Sequence, residues 1–315
     1  MTDGPNALGF DYFYGFTHAR NIGSIIEQDR VVANVKGIEN QPMMIKKALQ
    51  YLEDRSKEKK PFFLYFPMCP PHSPIVPAVE FEGKSGMDGK EGKYGDWVYQ
   101  GDHMLGQLMD ALERTGQDKN TLLIATGDNG AARRPYPPLR EAKSSIYEGG
   151  HREPFVARWP GKIKAGSVNH NVICLNDLFA TCADLLGADL PANAAEDSVS
   201  ILPALLGKAD GPLREGTINQ APAGLAIRQG PWKYITFRSG TRELYNLKED
   251  ISETKDVSET NTEVAARLEK IMQSYFDRGR STPGPVQKKE FDLPFGRKSE
   301  KKQNKKNKDG SSNKK

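Results

Sequence analysis

Apolar positions recur along this chain with two different periods. Between residues 41 and 56, Ile45, Ala48, Leu49 and Leu52 fall at i, i+3, i+4 and i+7 with Lys46, Lys47, Glu53 and Arg55 turned the other way, which predicts an amphipathic helix. Residues 96–115 predict a second helix, with Val98, Leu105, Leu108, Met109 and Leu112 as its apolar stripe and Gly116 as its stop. Two short continuous runs, PFFLYF at 61–66 and LLIA at 122–125, read as buried strands, the latter of a parallel sheet. Asn176 is placed to cap a helix carrying Leu178, Phe179, Cys182, Leu185 and Leu186, which would bury two of the three cysteines, and a short helix follows at 201–206. The texture changes near Gly211. Runs at 223–227, 232–237 and 242–247, separated by Gly-containing turns, predict a small antiparallel sheet, and Thr260-Asn261-Thr262-Glu263 reads as a capping box opening a last helix with Val264, Leu268, Ile271, Met272 and Tyr275. Residues 1–40 show neither period and read as loop-rich.

Both apolar runs deliver chemistry just beyond their carboxyl ends, where open α/β sheets bind ligands. After 122–125 come Asp128 and Asn129, hard oxygen donors suited to Mg²⁺ or Ca²⁺, then Gly130, a Pro-rich loop, Lys143 and Glu148-Gly149-Gly150. After 61–66 comes the Pro-rich loop 67–77 with His72, a residue type that moves protons near neutral pH. His103 lies in a helix with a complete apolar face and reads as an ordinary packed or surface residue. Arg133 and Arg134 are placed to contact an anionic substrate or to be solvated.

The order strand, Asp128-Asn129-Gly130, Lys143, Glu148-Gly149-Gly150, His151-Arg152-Glu153-Pro154-Phe155 and Arg158-Trp159-Pro160-Gly161 resembles the sulfatase family. Gly9-Phe10-Asp11 with the aromatics after it, the 61–74 segment with His72, Ala226-Ile227-Arg228-Gln229-Gly230-Pro231-Trp232-Lys233 and Glu243-Leu244-Tyr245-Asn246-Leu247 extend the resemblance over about residues 4–279. It implies an α/β fold, an alkaline-phosphatase-like three-layer sandwich with a small C-terminal antiparallel sheet plus helix. Residues 1–210 would be a partial catalytic domain, 211–280 a C-terminal subdomain, and 281–315 a disordered basic tail. It also implies a sulfuric ester hydrolase, arylsulfatase-like, acting on a sulfated small molecule or glycan. In it Asp128 and Asn129 would bind a divalent metal, usually Ca²⁺; Lys143 would hold the sulfate; His72 would contact it and protonate the leaving oxygen.

Parts of the family pattern are missing. Its nucleophile is a formylglycine made from Cys or Ser in a Cys/Ser-x-Pro-x-Arg motif, and Cys69-Pro70-Pro71-His72-Ser73 imitates only the first three positions. The paired aspartates that complete the metal cage and a further Lys and His for the sulfate are also absent. The expectation is therefore an N-terminally truncated sulfatase, lacking about the first third and inactive alone. The alternatives are a non-catalytic remnant that binds anionic glycans or another polypeptide, and a phosphoesterase of the same superfamily, whose extra His and Asp clusters the sequence does not show.

Composition adds limits. Apolar residues make up 37% of the 315, and the net charge is +4. Nine Lys or Arg from 297 onward face only Glu300 and Asp309, a net of +7, so the preceding residues carry about −3 and the basicity belongs to the tail. That tail lacks the aromatics of a nucleic-acid binder, so no nucleic acid partner is expected. Cys69, Cys174 and Cys182 have no metal-ligand spacing. The first residues have no secretory pattern and no stretch approaches a membrane span, so no membrane partner is expected either.

Overall fold

A computed structural model describes residues 4–58 and 60–288. They form two compact units, Met1–Leu123 with Ala157–Lys162, and Ile124–Val156 with Ile163–Lys315.

In the first unit, residues 4–36 are less loop-like than their composition suggests: β1 (Tyr14–Gly15), β2 (Ser24–Glu27) and β3 (Arg30–Asn34) form an antiparallel sheet in sequence order. Two helices follow, α1 (Gly37–Ser56) and α2 (Gly89–Arg114), both starting earlier than the apolar period alone indicates. The reason is at their polar ends. Glu39 accepts the backbone N–H of Lys36 at 2.8 Å, stabilising the first turn of α1. Asp96 takes the N–H groups of Gly83 and Ser85, each at 2.8 Å, and ties the preceding loop to α2. The core between the helices contains Ile45, Ala48, Leu52, Met104, Leu108, Ala111 and Leu112. Val98, expected in that stripe, is exposed, and Trp97 takes the buried position instead.

The run at 61–66 is not a buried strand. It is extended and alternates: Phe62, Leu64 and Phe66 pack on the helix core, while Phe63 and Tyr65 are 67% and 68% exposed. Among the described residues it belongs to no sheet ladder.

β4 (Leu123–Thr126) pairs with β5 (Phe155–Arg158), both strands containing a boundary between the units, and β4 is half-buried rather than buried. Between them lies α3 (Glu148–His151), a single turn. α4 (Asp177–Leu186) and α5 (Leu202–Leu205) come next. The face of α4 that is buried is its small and polar one, Asp177, Ala180, Thr181 and Ala183, whereas Phe179, Leu185 and Leu186 are exposed and Cys174 and Cys182 only half-buried. Asp177 explains the inversion: its carboxylate accepts the N–H groups of Cys174 and Val199 and pairs with Arg214, so helix and neighbouring loop close around a polar centre.

The C-terminal sheet has four antiparallel strands where three are legible, in the order β6 (Thr217–Ala221), β7 (Gly224–Gln229), β8 (Trp232–Phe237), β9 (Arg242–Asn246). α6 (Thr262–Arg278) covers one face, burying Leu268, Met272 and Tyr275 against Leu225, Ile227, Tyr234 and Leu244. Its capping box does not form: the Thr260 hydroxyl donates to Val257 O, and the helix starts one residue later on Asn261, whose side chain makes no cap hydrogen bond. The other face packs on Ile146 and Tyr147, just ahead of α3. Of the basic tail, residues 289–315 lie outside the described residues.

Candidate functional site

β4 ends at Thr126, and the chain turns through Gly127 into Asp128, exposed, and Asn129, half-buried. Gly130 is buried and tightly enclosed. A Cβ there would stand 1.9 Å from Gly149 O and 3.2 Å from Lys143 N, so any side chain would force the two segments apart. Gly130 N–H donates to Gly150 O at 3.0 Å, and Gly149 N–H to Arg140 O at 2.9 Å. Three predicted site residues, Asp128, Asn129 and Lys143, are thus brought together by backbone contacts among glycines. Lys143 itself is exposed. Glu153 approaches from the other side: its Oε2 would lie 2.3 Å from a Cβ on Gly127, and burial together with the nearby Asp128 raises its carboxyl above the usual range.

α3 is held from below by charge. Its Glu148 is buried, with Lys233 Nζ 3.1 Å from Oε1 and Arg228 Nη1 2.9 Å from Oε2. Burial pushes the Glu148 carboxyl up, but these two cations outweigh it and hold the group below the carboxylate range. Lys233 also stands 2.7 Å from Glu253 Oε1 and 3.3 Å from His151 Nε2. Burial and the Lys233 ammonium push the His151 imidazole down to about 4, so the ring is neutral, and its Nε2–H donates to Ile146 O at 3.2 Å. Arg140, ahead of Lys143, stacks on the Tyr147 ring with Cζ 3.6 Å from its centroid and donates to Glu253 O at 2.6 Å. Sequence reasoning noted Glu148 and Lys233 only inside longer motifs and missed their pairing and Glu253. The available signal was a lone Lys in the apolar run of β8.

His72 lies in the first unit. Its N–H donates to Cys69 O at 2.7 Å, and its carbonyl accepts the Trp97 indole N–H at 2.9 Å. Trp97 is fully buried with Ile22 and Cys69. His72 Nδ1 lies 2.5 Å from Ser73 O; because a carbonyl only accepts, Nδ1–H is the donor. Cys69 is buried, and burial pushes its thiol up to about 11, which suits a packing residue rather than a nucleophile. His103 is exposed, its ring 5.2 Å from that of Phe81. Arg133 sits on the exposed loop in the left-handed region, with φ of 59°.

The profile of the Sulfatase family matches residues 1–188, more than half of the sequence. The chain belongs to the sulfatase family. A second profile, N-sulphoglucosamine sulphohydrolase, C-terminal, matches residues 142–278 of this sulfatase. It is 35% identical over 250 residues to an N-acetylgalactosamine-6-O-sulfatase of Bacteroides thetaiotaomicron, covering 70% of this chain and 48% of that protein. To human arylsulfatase A it is 33% identical over 201 residues, covering 60% and 38%. A solved Bacteroides thetaiotaomicron structure, described under the metabolism of multiple glycosaminoglycans, superposes with a TM-score of 0.78 at 27% identity over 87% of this chain and 74% of that one. Ps i-CgsB in complex with a neocarrahexaose superposes at 0.79 with 24% identity, over 91% and 70%, a likeness of fold. The fold is therefore the α/β, alkaline-phosphatase-like one of the sulfatases. The chain spans between 31% and 48% of the length of the curated relatives it matches.

Proposed function

We propose that this sulfatase serves sulfuric ester hydrolysis, with a sulfated glycan as substrate. The reading is supported by the shared family and by the turn that sets Gly130, next to Asp128 and Asn129, against the Lys143 backbone. Lys143 offers a positive charge to a sulfate ester, and its exposure leaves the ammonium free to meet it. His72 keeps Nδ1–H on Ser73 O, and when Nε2 is protonated as well it passes that second proton to the departing oxygen, leaving the neutral Nδ1–H ring. Glycan substrates are the economical choice because one relative is named for N-acetylgalactosamine 6-O-sulfate, and two of the solved structures are described with glycosaminoglycans and a neocarrahexaose.

The donors fit a divalent metal in kind, and we assign Asp128 and Asn129 to it. They do not fit in number. Calcium takes six to eight oxygens, and among the described residues no group of three or more His, Cys, Asp or Glu could hold an ion. No step is derived through the metal. The same holds for formylglycine: the sequence has no Cys/Ser-x-Pro-x-Arg, and Cys69 is buried.

In this reading the chain by itself binds a sulfated sugar and does not turn it over. Titrating the purified chain with N-acetylgalactosamine 6-sulfate, while following both heat and released sulfate, tests it. Lys143→Ala should weaken binding about fivefold, the worth of one exposed ion pair. Identical affinity in the Lys143→Ala protein, or turnover abolished by Cys69→Ala, overturns the assignment.

A further inference from the structure

The chemistry proposed above uses none of the buried charges of the second unit. Glu148, Lys233 and Glu253 are all fully buried, with Arg228 mostly so, and the half-exposed Arg152 adds a third cation 3.2 Å from Glu148 Oε2. Such clusters rarely stabilise more than apolar packing of the same volume would, so their value lies in geometry. Here each carboxylate fixes a specific piece of backbone. Glu253 Oε2 accepts the Glu148 N–H at 2.6 Å, the first N–H of α3, which no earlier turn can satisfy. Glu253 is held for this task in the left-handed region, φ 51°, a conformation an ordinary side chain disfavours, and Arg140 secures its carbonyl. Glu148 in turn is gripped by Lys233 and Arg228.

From α3 the contact path leads straight to the turn that carries the proposed ligands. Gly150 O receives the Gly130 N–H, and Gly130 directly follows Asp128 and Asn129. There is no slack in it. A Cβ would meet backbone oxygen at 1.9 Å at Gly130, 2.3 Å at Gly149 and 2.1 Å at Gly150, so the segments touch through backbone alone and a shift of one displaces the next.

We propose that Lys233 and Glu253, from the C-terminal sheet and the turn after it, are positioning residues for the Asp128–Asn129 turn: they fix α3 through Glu148, and α3 fixes the turn through Gly130. That this turn is the functional one rests on the reading above; the positioning itself does not.

The experiment measures amide hydrogen exchange in the full chain at single-residue resolution, comparing Gly130 with the amides of β7 and β8. Two variants are used, Lys233→Met, which leaves two carboxylates facing each other, and the charge-balanced Lys233→Met/Glu253→Gln. In both, Gly130 should exchange at least tenfold faster than in the parent. In the balanced variant the β7 and β8 amides should stay within about twofold, which a general loss of stability would not allow. Unchanged Gly130 exchange in a folded variant overturns the proposal, and so does equal acceleration at Gly130 and in the sheet. If neither variant folds, the cluster is a core ion pair and the proposal falls. Failure of the Lys143→Ala binding result would instead remove the functional reading and leave the exchange result standing.

Discussion

The two segments that carry the proposed chemistry are held in opposite ways. The His72 loop rests on apolar packing, with Trp97, Ile22 and Cys69 beneath it and two hydrogen bonds to the His72 backbone. The segment from Asp128 to His151 is held by bonds with direction: backbone contacts between glycines and a buried set of four charges. Apolar contact is non-directional and tolerates a change of shape, whereas a buried ion cluster loses most when one member is removed. The contrast predicts unequal sensitivity. Glu148→Gln leaves Arg228 and Lys233 without their shared carboxylate and should cost about 3–5 kcal/mol in denaturant unfolding. Trp97→Phe keeps most of the buried ring and gives up the bond to His72 O, and should cost about 1–3 kcal/mol. If Trp97→Phe proves the more damaging, the two segments are not held as described.

The comparison also explains what could be read from the sequence. The α1 and α2 helices, the β7–β9 hairpins and α6 were legible because each buries one periodic face. The candidate residues Asp128, Asn129, Lys143 and His72 come from family order, and the structure adds that Gly130, next to Asp128 and Asn129, packs against the Lys143 backbone. What escaped was whatever depends on a distant partner. Lys233 reads as one polar residue in an apolar strand, and only the fold brings Glu148 and Glu253 to it across 85 residues and 20 residues of chain. α4 misled for the same reason: the spacing of its large apolar residues points Phe179 and Leu186 inward, but Asp177 found Arg214 and turned the helix over. β1 to β3 were missed because Arg30–Asn34 is mostly exposed and so leaves no alternation to read.

A second difference is pH. His151 faces Lys233, Glu148 and Arg228, and its pKa falls from 6.5 to about 4 in the fold. A basic group with a depressed pKa is protonated first in the unfolded chain, so the fold keeps its full stability above pH 6.5 and loses it as pH falls toward 4. Glu148, held low, adds to the acid loss only below its unfolded value, and Glu253, raised by burial, works in the opposite direction. Between pH 6.5 and 5 the His151 contribution amounts to about 1.5 kcal/mol. Chemical denaturation at both pH values should show that loss in the parent and not in His151→Gln. An unchanged pH slope in the variant would mean that another group carries it.

The smallest effect lies in the alternating run at 61–66, which leads into the His72 loop. Phe62, Leu64 and Phe66 touch the α1–α2 core, and Phe63 and Tyr65 face away from it, exposed by about two thirds. A residue already in water has little transfer free energy to lose, and Phe63 keeps only a tilted ring contact with Phe10, its centroid 5.9 Å away. Phe63→Ser and Tyr65→Ser should therefore change unfolding stability by less than about 0.5 kcal/mol, the range of surface substitutions. Leu64→Ser, one position along, removes a side chain from the core and places a hydroxyl there, and should cost about 2–4 kcal/mol. Because this run has no sheet partner among the described residues, the difference between neighbours measures side-chain burial alone, without a change in ladder hydrogen bonds. Equal losses at Phe63 and Leu64 would show that both faces of the run are covered in solution, and the His72 loop would then be as firmly enclosed as the glycine-lined turn.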